Sequence, residues 1–193
     1  MDINLIIVVV YSYLLGSIPF GLLLTKIFLK KDIRTVGSGN IGTTNVLRTG
    51  NKFLAMSTLA LDLLKGYISV YITIFYFENL SSLSALICFI GHIFPIWLRF
   101  KGGKGVATYL GIILALYYKY FLIFSVSWIF LSLLFRFASL SSMISTLIVF
   151  LYAYFFEIDN NILILFIFFV MILFTHKENI LRLKSSTENK IKL

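Results

Sequence analysis

Apolar residues fill this chain in long runs, and polar residues are confined to the gaps between them. The runs fall near residues 4–29, 53–77, 80–98, 106–118, 120–135, 139–156 and 162–175. Stretches such as NILILFIFFVMILF show no apolar–polar alternation, which argues against a transmembrane β-barrel, whose strands face lipid and lumen by turns. Several runs approach the roughly 20 residues that carry a helix across a hydrocarbon layer of about 30 Å. The pattern predicts an all-α, polytopic integral membrane protein of about seven transmembrane helices. One transmembrane domain is expected over residues 1–183, followed by a short polar, mobile, cytoplasmic tail over 184–193.

Two boundaries need argument. The run from Leu5 to Leu29 begins beside Asp2, with no basic n-region and no small-residue cleavage site after it, so it reads as a retained span and not a signal peptide. Residues 106–135 as one helix would be about 45 Å long, too long for a comfortable span. The sequence YYKY, Tyr117 to Tyr120, sets aromatic rings around Lys119 as an interfacial turn would, and predicts two helices.

Composition agrees: 60% of the 193 residues are hydrophobic and 13% charged, with a mean hydropathy of +0.97. The net charge of +9 could suggest nucleic acid, but the basic residues collect in short loops beside apolar runs, which is the signature of a cytoplasmic membrane face. With seven spans and the N-terminus outside, 15 of the 17 Lys and Arg residues fall on the inner side. Lys119 then stays outside with the acids Asp2, Glu78, Glu157 and Asp159. Merging the doubtful pair would put the basic C-terminus outside, so seven spans and a cytoplasmic C-terminus are preferred. The lone Cys88 excludes an internal disulfide or a cysteine metal cluster.

Three polar sequences break the pattern, all on the expected cytoplasmic side. In SGNIGTTNVLR, Gly39 and its neighbour glycine free backbone N–H groups to converge, while Ser38, Asn40, Thr43, Thr44 and Asn45 add neutral hydrogen-bonding groups and Arg48 a planar fork. Such a loop suits an anion. In FKGGKGVAT, Gly102 and Gly103 lie between Lys101 and Lys104, ahead of an apolar helix whose N-terminus favours negative charge. A nucleotide P-loop is a weak alternative, since no second GK[ST] follows and no strand precedes. The lysines alone could equally be positive-inside anchors. In HKENILRL, helical spacing places His176, Asn179 and Leu183 on one side and lets Glu178 pair with Arg182. No carboxylate pair accompanies the two histidines, so no metal is expected, and no cofactor. Deeper in the spans, Asp62 and Lys65 are expected to pair, and His92 with Pro95 predicts a kink turned inward.

These motifs, with LDLLKG and RFASLSS between them, resemble the PlsY family of bacterial acyl-phosphate:glycerol-3-phosphate acyltransferases over about Tyr13 to Leu183. The resemblance implies an inner-membrane enzyme of seven spans with a cytoplasmic active site. It moves a fatty acyl group from acyl phosphate to glycerol 3-phosphate, giving lysophosphatidic acid and phosphate at the first acylation step of phospholipid biosynthesis. Membrane lipids and the enzyme that makes acyl phosphate are its implied partners. By that similarity Ser38, Lys104, His176 and Asn179 are catalytic candidates and Arg48 holds phosphate, while Ser139 and Ser142 match a weaker polar motif. The chain departs from the family at the third motif, where Thr175 and Lys177 stand in place of two arginines. Lys177 keeps the charge without the fork, and Thr175 keeps neither.

The residues agree with that chemistry independently. Neither histidine begins an H-x4-D pattern, since position 97 is Trp and position 181 is Leu. An activated acyl phosphate needs no strong protein base, because its own phosphate can take the acceptor's proton. The identity of the donor rests on the resemblance. A transporter for a phosphorylated solute is the rival class, supported by Asp62 and Lys65 in mid-span but opposed by the lack of internal repeats. A scaffold would need no anion loops.

Overall fold

The computed structural model describes residues 2–157 and 162–191, and among them every regular element is helical. Asp159 and Lys192, both used in the charge argument, lie outside the described residues. The chain forms two compact units, Met1–Leu116 and Tyr117–Leu193.

The first unit contains α1 (Ile3–Gly16), α2 (Phe20–Leu29), α3 (Thr43–Leu47), α4 (Lys52–Tyr76), α5 (Ser81–Ile93) and α6 (Val106–Leu116). The second contains α7 (Tyr118–Phe135), α8 (Ala138–Phe156), α9 (Ile162–Thr175) and α10 (Lys177–Lys184). All seven apolar runs are therefore helical, and the 106–135 run is split at Tyr117 as the YYKY signal predicts. Among the described residues, five stretches are long and apolar enough to span a membrane: Ile3–Leu29, Lys52–Tyr76, Glu78–Leu98, Tyr118–Phe135 and Ala138–Phe156. A sixth is reached if Ile162–Thr175 and Lys177–Lys184, bent by 59°, are one span, and Val106–Leu116 is a shorter apolar helix.

The first run is not one continuous helix. It breaks at Ser17–Pro19, because Pro19 has no N–H to give and disfavours helical geometry at Ile18. The sequence GSIPFG carried this signal. The open carbonyls at the break find distant donors: Trp97 Nε1 donates to Ser17 O at 2.8 Å and Lys65 Nζ to Ile18 O at 2.7 Å. In place of a kink at Pro95, α5 stops at Ile93 and a single 3-10 turn, Ile96–Leu98, follows.

Small residues let the helices of the first unit approach closely, as expected where lipid supplies no hydrophobic drive between helices. Helix α4 packs on α6, and α1 on α5. A Cβ at Gly111 would sit 1.9 Å from Leu63 O, so only glycine permits that α4–α6 contact. Hydroxyls bind the remaining seams: Ser84 Oγ meets Ser12 Oγ at 2.8 Å and Ser69 Oγ at 3.1 Å, and Tyr11 bonds Thr73. Large apolar side chains such as Phe53 and Phe75 point outward, where lipid would cover them. In the second unit, α8 packs against α7 and α9, and Glu157 accepts from Tyr120 Oη at 2.6 Å with Lys119 Nζ 3.6 Å away.

Candidate active site

The first polar loop is held from within by Asn45, whose side chain is buried. Its amide nitrogen donates to Ile33 O, Val36 O and Asn40 O at 3.1, 2.9 and 2.8 Å. Its oxygen accepts from the Ser38 N–H at 3.0 Å. Asn45 thus spends its polar atoms on the loop. Asn40 Oδ1 likewise accepts from Gly42 N–H, a local turn before α3. The loop can fold this tightly because Gly37 and Gly39 adopt positive φ, and a Cβ on Gly37 would meet Asn45 Oδ1 and the Arg48 side chain. Arg48, exposed, reaches back along that glycine to within 3.5 Å of Asn45 Oδ1. Thr43 Oγ1 is buried with no hydrogen bond among the described residues, and Thr44 is exposed.

Just upstream, Asp32 caps the 3-10 turn Ile33–Thr35 and grips Arg34 through Nε at 2.9 Å and Nη2 at 2.5 Å. That hydrogen bond pulls the Asp32 carboxyl down to about 2.

The second loop hangs from the end of α5. Gly102 N–H donates to Ile93 O at 2.9 Å and Gly103 N–H to His92 O at 3.1 Å. A Cβ on Gly103 would lie 2.2 Å from His92 Nε2, so the imidazole packs directly on the loop backbone. Behind it, His92 Nδ1 is 3.8 Å from Asp62 Oδ1, and the same carboxylate pairs with Lys65 Nζ at 2.7 Å. Asp62 and Lys65 pair as expected, and all three side chains are nearly free of solvent. Their burial and their route to Gly103 give this cluster a structural task beneath the loop that carries Lys104. Lys101 is exposed and Lys104 half-buried. Gly39 of the first loop and Gly102 of the second line one cavity, so the first unit brings the two glycine-rich motifs together.

The second unit gathers the remaining candidates. His176 stands at the bend between α9 and α10, where its Nδ1 lies 2.8 Å from Ile172 O. A carbonyl can only accept, which assigns the proton to Nδ1. His176 and Asn179 are buried. One carboxylate joins this group together: Glu188 Oε1 accepts from Asn179 Nδ2 at 2.6 Å and from Ser139 Oγ at 2.7 Å, and Oε2 from Arg182 Nε at 2.7 Å. The predicted Glu178–Arg182 pair is present but looser, at 3.9 Å. Ser142 Oγ accepts from Trp128 Nε1 at 3.0 Å and donates to Ala138 O. The tail expected to be mobile folds back on this unit, with Ile191 N–H donating to Arg136 O at 2.7 Å. Burial opposes the charge on Glu188, yet the hydrogen bonds from Ser139, Arg182 and Asn179, with the Arg182 charge, hold its carboxyl below the usual range.

Glu188 escaped the sequence reading because a single acid in a polar tail carries no periodic signal. Nothing about its position in STENK announces three partners up to 49 residues away.

Each unit thus supplies groups suited to anions: the Arg48 guanidinium and the Lys101 and Lys104 ammonium groups in the first, and an imidazole, an amide and hydroxyls in the second. Among the described residues no three His, Cys, Asp or Glu side chains cluster as metal ligands would.

The glycerol-3-phosphate acyltransferase family model matches residues 6–186. Two relatives with that name come from Pelagibacter ubique and Mesorhizobium japonicum. The first is 51% identical over 97% of this chain and 98% of its own, and the second 47% identical over 99% and 98%. Among solved structures, the glycerol 3-phosphate form of PlsY, an integral membrane glycerol 3-phosphate acyltransferase, superposes with a TM-score of 0.93. It is 34% identical and covers 98% of this chain and 96% of its own. The lysophosphatidic acid form of the same protein superposes with a TM-score of 0.90. The fold, the two glycine-rich loops and these similarities over nearly the whole length agree, and the chain belongs to the glycerol-3-phosphate acyltransferase family.

Proposed function

We propose that this protein transfers a fatty acyl group from acyl phosphate to a hydroxyl of glycerol 3-phosphate, giving 1-acylglycerol 3-phosphate and inorganic phosphate. The observation that carries this reading is the pair of glycine-rich loops, one clamped by Asn45 and one seated on His92, which carry Ser38, Arg48 and Lys104. Such a site positions anions and leaves the base to the substrate. The acceptor oxygen forms a bond to the acyl carbon, the bond from that carbon to the phosphate oxygen breaks, and the departing phosphate takes the hydroxyl proton. Arg48 and Lys104 hold phosphate oxygens, Ser38 and Asn179 orient by hydrogen bonds, and His176 positions by accepting at Nε2 when neutral and donates there only as the imidazolium, since Nδ1–H is engaged by Ile172 O. Asn45 and Asn40 act by shaping the first loop. Glycerol 3-phosphate and lysophosphatidic acid, the forms in which the solved relative was captured, support the acceptor and the product.

In a bacterial inner membrane, seven spans with the N-terminus outside place both glycine loops and α10 on the cytoplasmic side, by the distribution of basic residues. The product then enters phospholipid synthesis, and the enzyme that makes acyl phosphate is the natural neighbour. Cysteines placed near 104 and 180 in a Cys88→Ser background should resist an impermeant thiol reagent on intact cells. The decisive assay supplies purified protein in lipid with glycerol 3-phosphate and either acyl phosphate or acyl coenzyme A. Product is expected from acyl phosphate alone; turnover only with the thioester would overturn the donor, and none with either would overturn the reading.

A further inference from the structure

The first glycine loop rests on the start of α2, where a Cβ on Gly21 would lie 2.0 Å from Ile41 O. Just before that helix start is the proline break, and the Ile18 carbonyl left open there accepts from Lys65 Nζ at 2.7 Å. The same ammonium stands 5.7 Å from the centre of the Phe20 ring and 2.7 Å from Asp62 Oδ1, one turn back on α4. That carboxylate oxygen is in turn 3.8 Å from His92 Nδ1, and all three side chains are nearly free of solvent. The far edge of the imidazole meets the second loop: a Cβ on Gly103 would lie 2.2 Å from Nε2, and one on Gly105, at φ 87°, would lie 2.3 Å from the Phe89 ring one turn earlier on α5. A continuous line of contacts through the interior of the first unit therefore joins the two loops.

Apolar side chains could fill this space, but dispersion contacts have no direction, whereas an ammonium held by a carboxylate on one side and a carbonyl on the other has one place to stand. Resting on the acyltransferase reading, we propose that Asp62, Lys65 and His92 are positioning residues for acyl transfer. They touch neither substrate; they set the spacing between the loop that carries Ser38 and Arg48 and the loop that carries Lys104. Direct transfer needs the attacking oxygen within about 3–3.5 Å of the acyl carbon, and a misplacement of about 1 Å can cost about a hundredfold in rate. Each loop still holds its own anion when the strut is lost, so the loss is read in kcat and not in KM.

Asp62→Leu combined with Lys65→Met replaces the ion pair by apolar side chains, an exchange that protein interiors often accept. This double variant should melt above both single alanine variants, yet show a kcat at least tenfold below the parent with KM for each substrate within threefold. A kcat restored along with stability, or KM values that rise while kcat holds, overturns the proposal. Asp62→Glu keeps both charges and lengthens the carboxylate arm by one methylene. Its kcat should fall at least fivefold, and a value within twofold of the parent overturns the assignment even where the apolar pair fails to fold. The spacing itself is read by pulsed electron paramagnetic resonance between spin labels on Thr35→Cys and Phe100→Cys in a Cys88→Ser background, two exposed positions beside the loops. Asp62→Glu should shift or broaden their distance distribution, and an unchanged distribution overturns the strut. Failure of the acyltransferase reading would show instead as no turnover in the parent protein while the label distances still respond.

Discussion

The side chain of Asn45 receives the backbone N–H of Ser38 at 3.0 Å while its own amide holds three carbonyls of the same loop. A residue of the polar motif is thereby turned inward, and the shape of the loop, more than its list of functional groups, sets where Ser38 sits. Asn45→Ala strands the Ser38 N–H and the Asn40 carbonyl, at about 1–3 kcal/mol for each group that water cannot reach, while Ile33 O and Val36 O keep the N–H groups of Val36 and Gly39. Asn45→Asp should be nearly as damaging, because a carboxylate accepts from Ser38 but donates nothing to the carbonyls. Both variants should lose at least tenfold in kcat with reduced thermal stability in detergent; normal values for Asn45→Asp would refute the clamp.

Arg48→Ala or Lys104→Ala removes a charge-assisted phosphate contact, a loss of roughly 1.5–3 kcal/mol or about ten- to a hundredfold in kcat/KM. Arg48→Lys should remain impaired, since an ammonium cannot reproduce the planar fork. Steady-state kinetics with each substrate varied in turn checks this, and unchanged constants in both alanine variants would reduce the two residues to topology anchors.

Asp62 and Lys65 stabilise each other deep in the first unit. Either single change to Ala leaves one charge buried alone, at about 3–5 kcal/mol. The double change should cost markedly less than the sum. A double-mutant cycle on thermal stability measures the coupling, and additive losses would show that the 2.7 Å contact carries no energy.

Glu188 ties the tail to Ser139, Asn179 and Arg182. Glu188→Ala should lower stability and cut kcat at least tenfold by loosening Asn179. Because its folded carboxyl lies below the ordinary value, the tie is fully present above the unfolded pKa near 4.5 and is lost as pH falls through the folded one. Protease protection of residues 185–191 should therefore persist at neutral pH and fade below about pH 4.5 in acid, whereas Glu188→Gln, with no carboxyl to titrate, should be less protected at neutral pH and lack that transition.

Acyl transfer is expected to be direct. Among the described residues no base is hydrogen-bonded to the Ser38 hydroxyl, the His92–Asp62 contact lies beneath the second loop, and Cys88 is wholly buried. Incubation with labelled acyl phosphate and no acceptor should leave the protein unmodified by mass spectrometry; a stoichiometric adduct on Ser38, discharged at the turnover rate, would replace this mechanism with a covalent one.

The sequence made the helical runs and the anion loops legible because each leaves a local mark: unbroken hydropathy, closely spaced glycines, a lysine ringed by tyrosines. Even the break at Pro19 had its local mark in GSIPFG, masked by the apolar residues around it. What stayed hidden depends on distant partners. No spacing rule links Lys65 to the Ile18 carbonyl, Trp97 to Ser17 or Glu188 to Ser139. Asn45 was legible as a polar loop residue, but whether it faces a ligand or its own backbone is decided by the path of the chain.

Helix α6 has 11 residues, a reach of roughly 16 Å and about half of a hydrocarbon layer. Its two ends cannot both lie at the opposite edges of an unthinned bilayer. The loop end carries Arg99, Lys101 and Lys104 and the other end runs into the YYKY turn with Lys119, so both ends call for a polar edge. If α6 crosses, a helix this short meets both edges only where the hydrocarbon layer thins around it.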